Sequence, residues 1–335
     1  MKKSRNGLIE FVRFFAIINI ACFHYEWLYI SHPVSFQFGY IWVELFFIIS
    51  GYYLAKNYGG KTSWDYTWKQ IKKLYPIYLA AFAFCFVAKN WGAATYEWIF
   101  NLWNAKWEIL LLYNWGFNNN AIAYNVGGAP AFISVLILCT VVIHFFLSKH
   151  KDFFVCVFAP LVIAFSYGKL INEAGNLSQW LAYDGILPMG IYRGMADMCV
   201  GALFAILLEK WMTNRSNFLK FLIFIICCMF VIALGVFSGI SHSDLVIYVF
   251  VFALLVCTLD TMSTNKIINS LGLFLGKIST PIFMFHSGII ELASKHVPNM
   301  EYKYGMLITV SVICVFSSAI YVFELLCKEI KKLVN

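Results

Sequence analysis

Leu8–Ile30 reads LIEFVRFFAIINIACFHYEWLYI, an apolar run that carries an arginine at Arg13 and a histidine at His24. A helix of about 20 apolar residues crosses a hydrocarbon core of about 30 Å, so the stretch predicts a membrane span. Charged or titratable groups inside a span are costly and persist where they serve a function. Eleven helical steps of 100° end about 20° past three full turns, so Arg13 and His24 share one face, about 16 Å apart along the axis. That face carries a fixed cation near one membrane surface and a proton-transferring imidazole much deeper.

The rest of the chain is of the same kind. Its 335 residues are 61% hydrophobic and 13% charged, with 33 Phe, 19 Tyr and 11 Trp. A soluble domain carries about 25% charged residues, so the composition predicts an all-α, polytopic membrane protein. Cys22, Cys85, Cys139, Cys156, Cys199, Cys227, Cys228, Cys257 and Cys314 fall in apolar segments, and no CxxC pair occurs. Neither a disulfide framework nor a metal site is expected, and these cysteines read as small buried hydrophobes. The first apolar run lacks a small-residue cleavage site, so it is expected to be a retained span rather than a leader.

Apolar runs of spanning length predict about ten transmembrane helices, at 8–30, 38–55, 74–90, 129–147, 153–169, 187–209, 218–238, 244–260, 273–294 and 304–326. With the N-terminus inside, seventeen lysines and arginines fall on the cytoplasmic side and five outside. This bias predicts that both termini are cytoplasmic. The net charge of +8 then reflects an anionic inner leaflet; membrane lipids are the expected partners of this charge, and nucleic acid is not. The expected location is a cell inner (plasma) membrane, multi-pass. Two connections are long. Residues 56–73 are basic and aromatic (Tyr58, Trp64, Tyr66, Trp68) and suit the inner interface. Residues 91–128 hold Trp91, Trp98, Trp103, Trp107 and Trp115, then Asn118–Asn120 and Gly127–Gly128. Those aromatics fit either an interfacial belt or a platform for sugar rings. No internal repeat is visible, and a single transmembrane domain over 1–335 is expected.

Several polar residues fall at membrane depth. Glu44, about six residues into the second span, reaches a depth similar to that of His24. A carboxylate bonded to His fixes its tautomer and raises its basicity, which suits a general base. The alternative is that Glu44 faces outer headgroups while His24 packs between helices. Glu10 stands three residues before Arg13, a spacing that pairs them on one helix face. Arg13 reads either as half of that ion pair or as an anion site, since guanidinium matches phosphate bidentately. Arg193 and Asp197, at i and i+4, read as an intramembrane pair. His286 follows Pro281, which frees backbone groups inside a span. His144 reads as interfacial.

These residues resemble a family. Glu10-Phe11-Val12-Arg13, ten residues and then His24 is similar to the E/D-x-x-R-x(10)-H signature of the acyltransferase-3 family of integral membrane O-acyltransferases. Val43 to Tyr52 (VELFFIISGY) resembles its D/E-L-F-F-x-x-S-G motif, and Lys73 to Tyr78 (KLYPIY) its R-[IL]-Y-P-x-Y segment. Arg193 to Gly201 and Ser279 to His286 resemble its R-x(7)-G and S-x(6)-H segments. Two departures stand out: Lys69, Lys72 and Lys73 replace the arginines usual before Tyr-Pro, and Ala131 stands where a tryptophan is usual. The resemblance implies ten spans and transfer of an acyl group, most often acetyl from acetyl-coenzyme A, to a hydroxyl of a cell-surface or lipid-linked sugar or polysaccharide. It implies His24 as the base, oriented by Glu44, with Arg13, Lys69, Lys72 and Lys73 holding the phosphates of the acyl-CoA donor. Ser50, His286 and Arg193 would position substrate. With Asn335 last, no fused esterase-like domain is expected to take part. The rival class is a transporter or flippase in which Arg13, Glu44 and His24 line a path.

Overall fold

The computed structural model describes residues 6–30, 34–117, 129–173, 177, 183–185, 187–236, 245–296 and 301–334. Along the chain run α1 (Gly7–Ile30), α2 (Trp42–Asn57), α3 (Ser63–Asn90), α4 (Thr95–Asn104), α5 (Lys106–Ile109), α6 (Ala129–Lys149), α7 (Lys151–Phe153) and α8 (Ala159–Glu173). A two-residue antiparallel ladder, Tyr183–Asp184 against Leu187–Pro188, precedes α9 (Met189–Leu207). Then come α10 (Glu209–Thr213), α11 (Asn217–Val236), α12 (Leu245–Thr261), α13 (Lys266–His296) and α14 (Tyr302–Val334).

Local sequence sets the helix starts. Asn6 Oδ1 accepts from Leu8 N at 2.9 Å, Ser216 Oγ from Leu219 N at 3.2 Å, and Asn265 Oδ1 from Ile268 N at 2.8 Å. Thr62 and Asp65 bond each other at the head of α3, where Asp65 N donates to Thr62 Oγ1 at 3.1 Å. Each satisfies a donor that the first helical turn leaves open. Between α7 and α8, residues Phe154–Phe158 widen into one π turn. Pro160 follows; its ring would clash with the carbonyl four residues back, and the wider turn relieves that crowding.

Seven helices among the described residues are long and apolar enough to cross a membrane: α1, α3, α6, the α7–α8 stretch Lys151–Glu173, α9, α13 and α14. Of the other expected spans, α2 has 16 residues and α12 has 17, while the apolar part of α11 runs over Asn217–Ala233. At 1.5 Å per residue these reach about 24–26 Å, short of a full hydrocarbon core. The chain is a multi-pass, all-α membrane protein. Its exposed side chains agree: α11 and α14 leave Phe218, Phe221, Leu307, Val315 and Phe323 uncovered, as lipid-facing helices do. Cys156 is exposed as well, unlike the buried hydrophobe expected at that position.

The chain forms two compact units, Met1–Gly39 with Ile77–Trp98 and Thr264–Asn335, and Tyr40–Pro76 with Ile99–Ser263. In the first unit α1 packs on α13, with α14 beside it. Gly272 and Gly276 make this approach possible, because a Cβ at either would strike the Gly7 backbone or the Glu10 side chain. The C-terminal half of α3 joins through Phe84, whose ring lies 5.6 Å from Phe285. Lys295 Nζ closes its end, donating to the carbonyls of Ala88 (3.0 Å) and Lys89 (2.7 Å). A cation there also complements the negative end of the helix dipole.

In the second unit α2 packs on α9, with α6, α8 and α12 around them. A Cβ on Gly51 would strike the Met198 backbone, and one on Gly201 the Ile48 backbone. Small residues at such crossings let membrane helices approach closely where no hydrophobic drive separates helix from lipid. This gives the glycines of the Ser-Gly and R-x(7)-G motifs a packing role. Gly201→Leu is expected to cost at least about 3 kcal/mol through overpacking, whereas Gly168→Ala, which meets nothing within 4 Å, should gain about 0.5–1 kcal/mol of helix stability. Thermal unfolding in detergent micelles reads both.

Candidate functional site

On α1, Arg13 lies near the helix start and Nη1 donates to Glu10 Oε2 at 2.6 Å. The pair is largely buried, with 19% of the Arg13 side chain and 6% of the Glu10 side chain exposed. Gly276 of α13 gives Glu10 its room. One arginine edge is thereby fixed while the group stays within reach of solvent. The ion pair with Glu10 that the i,i+3 spacing predicts is formed.

His24 stands toward the other end of α1, and its ring centroid lies 5.3 Å from that of His286 on α13, tilted by 37°. Nδ1 of His286 lies 2.9 Å from the Phe283 carbonyl and 3.2 Å from that of Ile282. A carbonyl only accepts, so Nδ1 carries the proton and a neutral His286 presents Nε2 as its lone pair. Nε2 lies 3.3 Å from Ser287 Oγ. Two imidazoles, one with a fixed tautomer, therefore share a site that can take up and pass a proton.

Glu26, two residues past His24, escaped the sequence reading. It is fully buried, and its Oε2 accepts from the backbone N–H groups of Val34 (2.9 Å), Ser35 (3.1 Å) and Phe36 (3.0 Å). Gly39 then packs on the Phe23 side chain. The carboxylate thus ties the loop after α1 down beside the histidine. The signal that could have found it is an acid inside an apolar run with no basic residue at helical spacing.

In the second unit, Glu44 is fully buried on α2 and its Oε1 accepts from Arg193 of α9, through Nε at 3.0 Å and through Nη2. The sequence analysis gave Glu44 to His24 and Asp197 to Arg193. In the structure Glu44 takes the Arg193 guanidinium, and Asp197 accepts from the Tyr167 hydroxyl of α8. Glu44 supplies the opposite charge that the buried guanidinium requires in a dry interior.

Ser50 donates to the Phe46 carbonyl at 2.7 Å, so its proton is engaged within its own helix. Lys69, Lys72 and Lys73 are exposed on one side of α3, and Lys72 Nζ lies 5.4 Å over the Trp68 ring. His144 is buried, with Nδ1 3.0 Å from Ser63 Oγ. Where Ala131 replaces the expected tryptophan, Trp115 reaches the same segment: its indole donates to the Ser134 carbonyl at 3.0 Å, and Asn114 N to Ser134 Oγ at 3.1 Å. Trp91 and Trp103 are exposed, and α4 buries none of its residues, which suits an interfacial helix. Asn118–Asn120 and Gly127–Gly128 lie outside the described residues.

The sequence profile described as an acyltransferase domain, that of the acyltransferase-3 family, matches residues 6–324. The chain belongs to this family: it is a membrane-embedded acyltransferase. Among curated proteins and among solved structures, nothing matches.

Removing one partner from the Glu44–Arg193 pair strands a buried charge, so Arg193→Met is expected to destabilise by about 3–5 kcal/mol. The double change Glu44→Gln with Arg193→Met should recover part of that loss. Glu26→Ala should cost about 2–3 kcal/mol through orphaned N–H groups. Unfolding of each variant in micelles supplies the comparison.

Proposed function

We propose that the protein moves an acyl group, acetyl, from acyl-coenzyme A to a hydroxyl of a cell-surface or lipid-linked glycan, in the inner membrane of a bacterial cell. The observation that carries the reading is the pairing of His24, on the helix that also bears Arg13, with His286 of α13. Acyl transfer to an alcohol needs a base at the hydroxyl and a cationic hold on the donor's phosphates. The α1 face supplies one at each end, about 16 Å apart at 1.5 Å per residue. An extended pantetheine arm suits that separation.

Arg13, partly exposed beside Glu10, is assigned to the donor's phosphates, whose geometry a guanidinium matches. Lys69, Lys72 and Lys73 supply a separate exposed cationic surface suited to the same chemistry. Both termini, and with them the Arg13 end of α1, are assigned to the cytoplasm on the lysine and arginine bias. At the other end, His24 takes the proton of the sugar hydroxyl as its oxygen attacks the thioester carbonyl. The carbon–sulfur bond breaks, and the thiolate leaves as a thiol with that proton. His286, with its Nδ1–H held by carbonyls, positions His24 and the incoming hydroxyl. Ser50 and Arg193 are assigned to holding α2 and α9 in place rather than to touching substrate.

His24→Ala is expected to lower kcat for transfer about 10²–10⁴-fold with little change in donor KM. Arg13→Ala should instead raise the KM for acetyl-coenzyme A about tenfold or more, the equivalent of roughly 1.4 kcal/mol, and Arg13→Lys should recover part of it. Turnover by purified protein in nanodiscs, with the glycan acceptor followed by mass spectrometry, reads all three. Normal glycan acylation by His24→Ala would sink the base assignment.

A further inference from the structure

The serines of α13 do not behave alike. Ser279 donates to the Leu275 carbonyl and Ser294 to the Glu291 carbonyl, each at 2.8 Å, the usual way a helical serine satisfies its hydroxyl. Ser287 instead directs its hydroxyl to His286 Nε2 at 3.3 Å and is half-buried. His286 is held from behind, its Nδ1–H between the Ile282 and Phe283 carbonyls. A hydroxyl on an imidazole that a third group orients is the arrangement that activates a nucleophile, and the hydroxyl-to-base distance is often looser without substrate.

We infer that Ser287 is a nucleophile that carries the acyl group as an ester between donor and acceptor. The inference rests on the acyl-transfer reading above and deepens it. In the first half, Ser287 Oγ attacks the thioester carbonyl and its proton passes to His286 Nε2. The carbon–sulfur bond breaks, and the thiolate takes the proton from His286 and leaves as coenzyme A thiol. In the second half the sugar hydroxyl attacks the Ser287 ester while His24 takes its proton. The bond from the acyl carbon to Ser287 Oγ breaks, and the proton passes from His24 through His286 Nε2 back to that oxygen. Two adjacent imidazoles then have separate duties, one for each half.

The test uses purified full-length protein in nanodiscs with acetyl-coenzyme A labelled with ¹³C in the acetyl group, quenched in acid and digested for mass spectrometry. Without acceptor, wild type is expected to carry a labelled acetyl ester on the peptide containing Ser287, and Ser287→Ala none. Ser287→Ala should lose about 10²-fold or more of glycan transfer, while Ser294→Ala keeps it. His24→Ala should form the ester and fail to pass it on. Wild type that transfers acetyl with no ester at Ser287, or Ser287→Ala that transfers normally, overturns the relay and leaves direct transfer standing. Wild type that leaves acetyl-coenzyme A intact overturns the donor assignment and the relay together.

Discussion

A charge buried away from water must find its opposite, and Glu44 with Arg193 meets that condition at the centre of one half of this protein. Both side chains are almost wholly buried, and either alone would be costly enough to disrupt its surroundings. Their bond fixes α2 against α9, and Tyr167 on Asp197 extends the hold to α8. The glycines follow from the same need. A guanidinium and a carboxylate on two helices meet only if the backbones approach closely, and Gly51 and Gly201 let them do so.

The other unit solves the same problem with a different outcome. Glu10 holds Arg13, yet the arginine keeps some exposure, and the rings of His24 and His286 lie 5.3 Å apart. Glycine spacing again governs the approach, here through Gly272 and Gly276 on α13. Buried groups that pair with one another, as Glu44 and Arg193 do, stabilise a scaffold. Those that retain a lone pair or a reachable N–H remain able to do chemistry. On that criterion the proposed chemistry is assigned to α1 with His286 and Ser287, and the α2–α9 cluster is read as the scaffold of its own unit.

Much of this was legible in the residues. Arg13 and His24 declared one helical face by spacing alone, and Glu10 at i−3 declared the partner that the structure shows. The family motifs singled out Glu44, Arg193 and His286, and the structure adds the Glu44–Arg193 bond that spacing did not anticipate. Asp197 at i+4 looked like the natural mate of Arg193, and equal depth made Glu44 look like the mate of His24. Glu26 went unnoticed because its partners are backbone N–H groups of a loop, which no side-chain pattern announces. Ser287 was hidden for a related reason: neighbouring residues on a helix point about 100° apart, so only actual rotamers bring its hydroxyl to the imidazole.

The sequence by itself determined the solvent this protein lives in, the helical class and the residues too costly to be idle. Those properties follow from composition and from periodicity along one helix, which are local. Beyond the local Glu10–Arg13 pair, which costly residues meet was decided by tertiary structure. Partner choice depends on how closely two helix axes can approach and at what rotation, and that is set by small residues on both helices acting together. Glu44 could have answered a histidine or an arginine at the same depth. The crossing of α2 and α9 on Gly51 and Gly201 delivered it to Arg193.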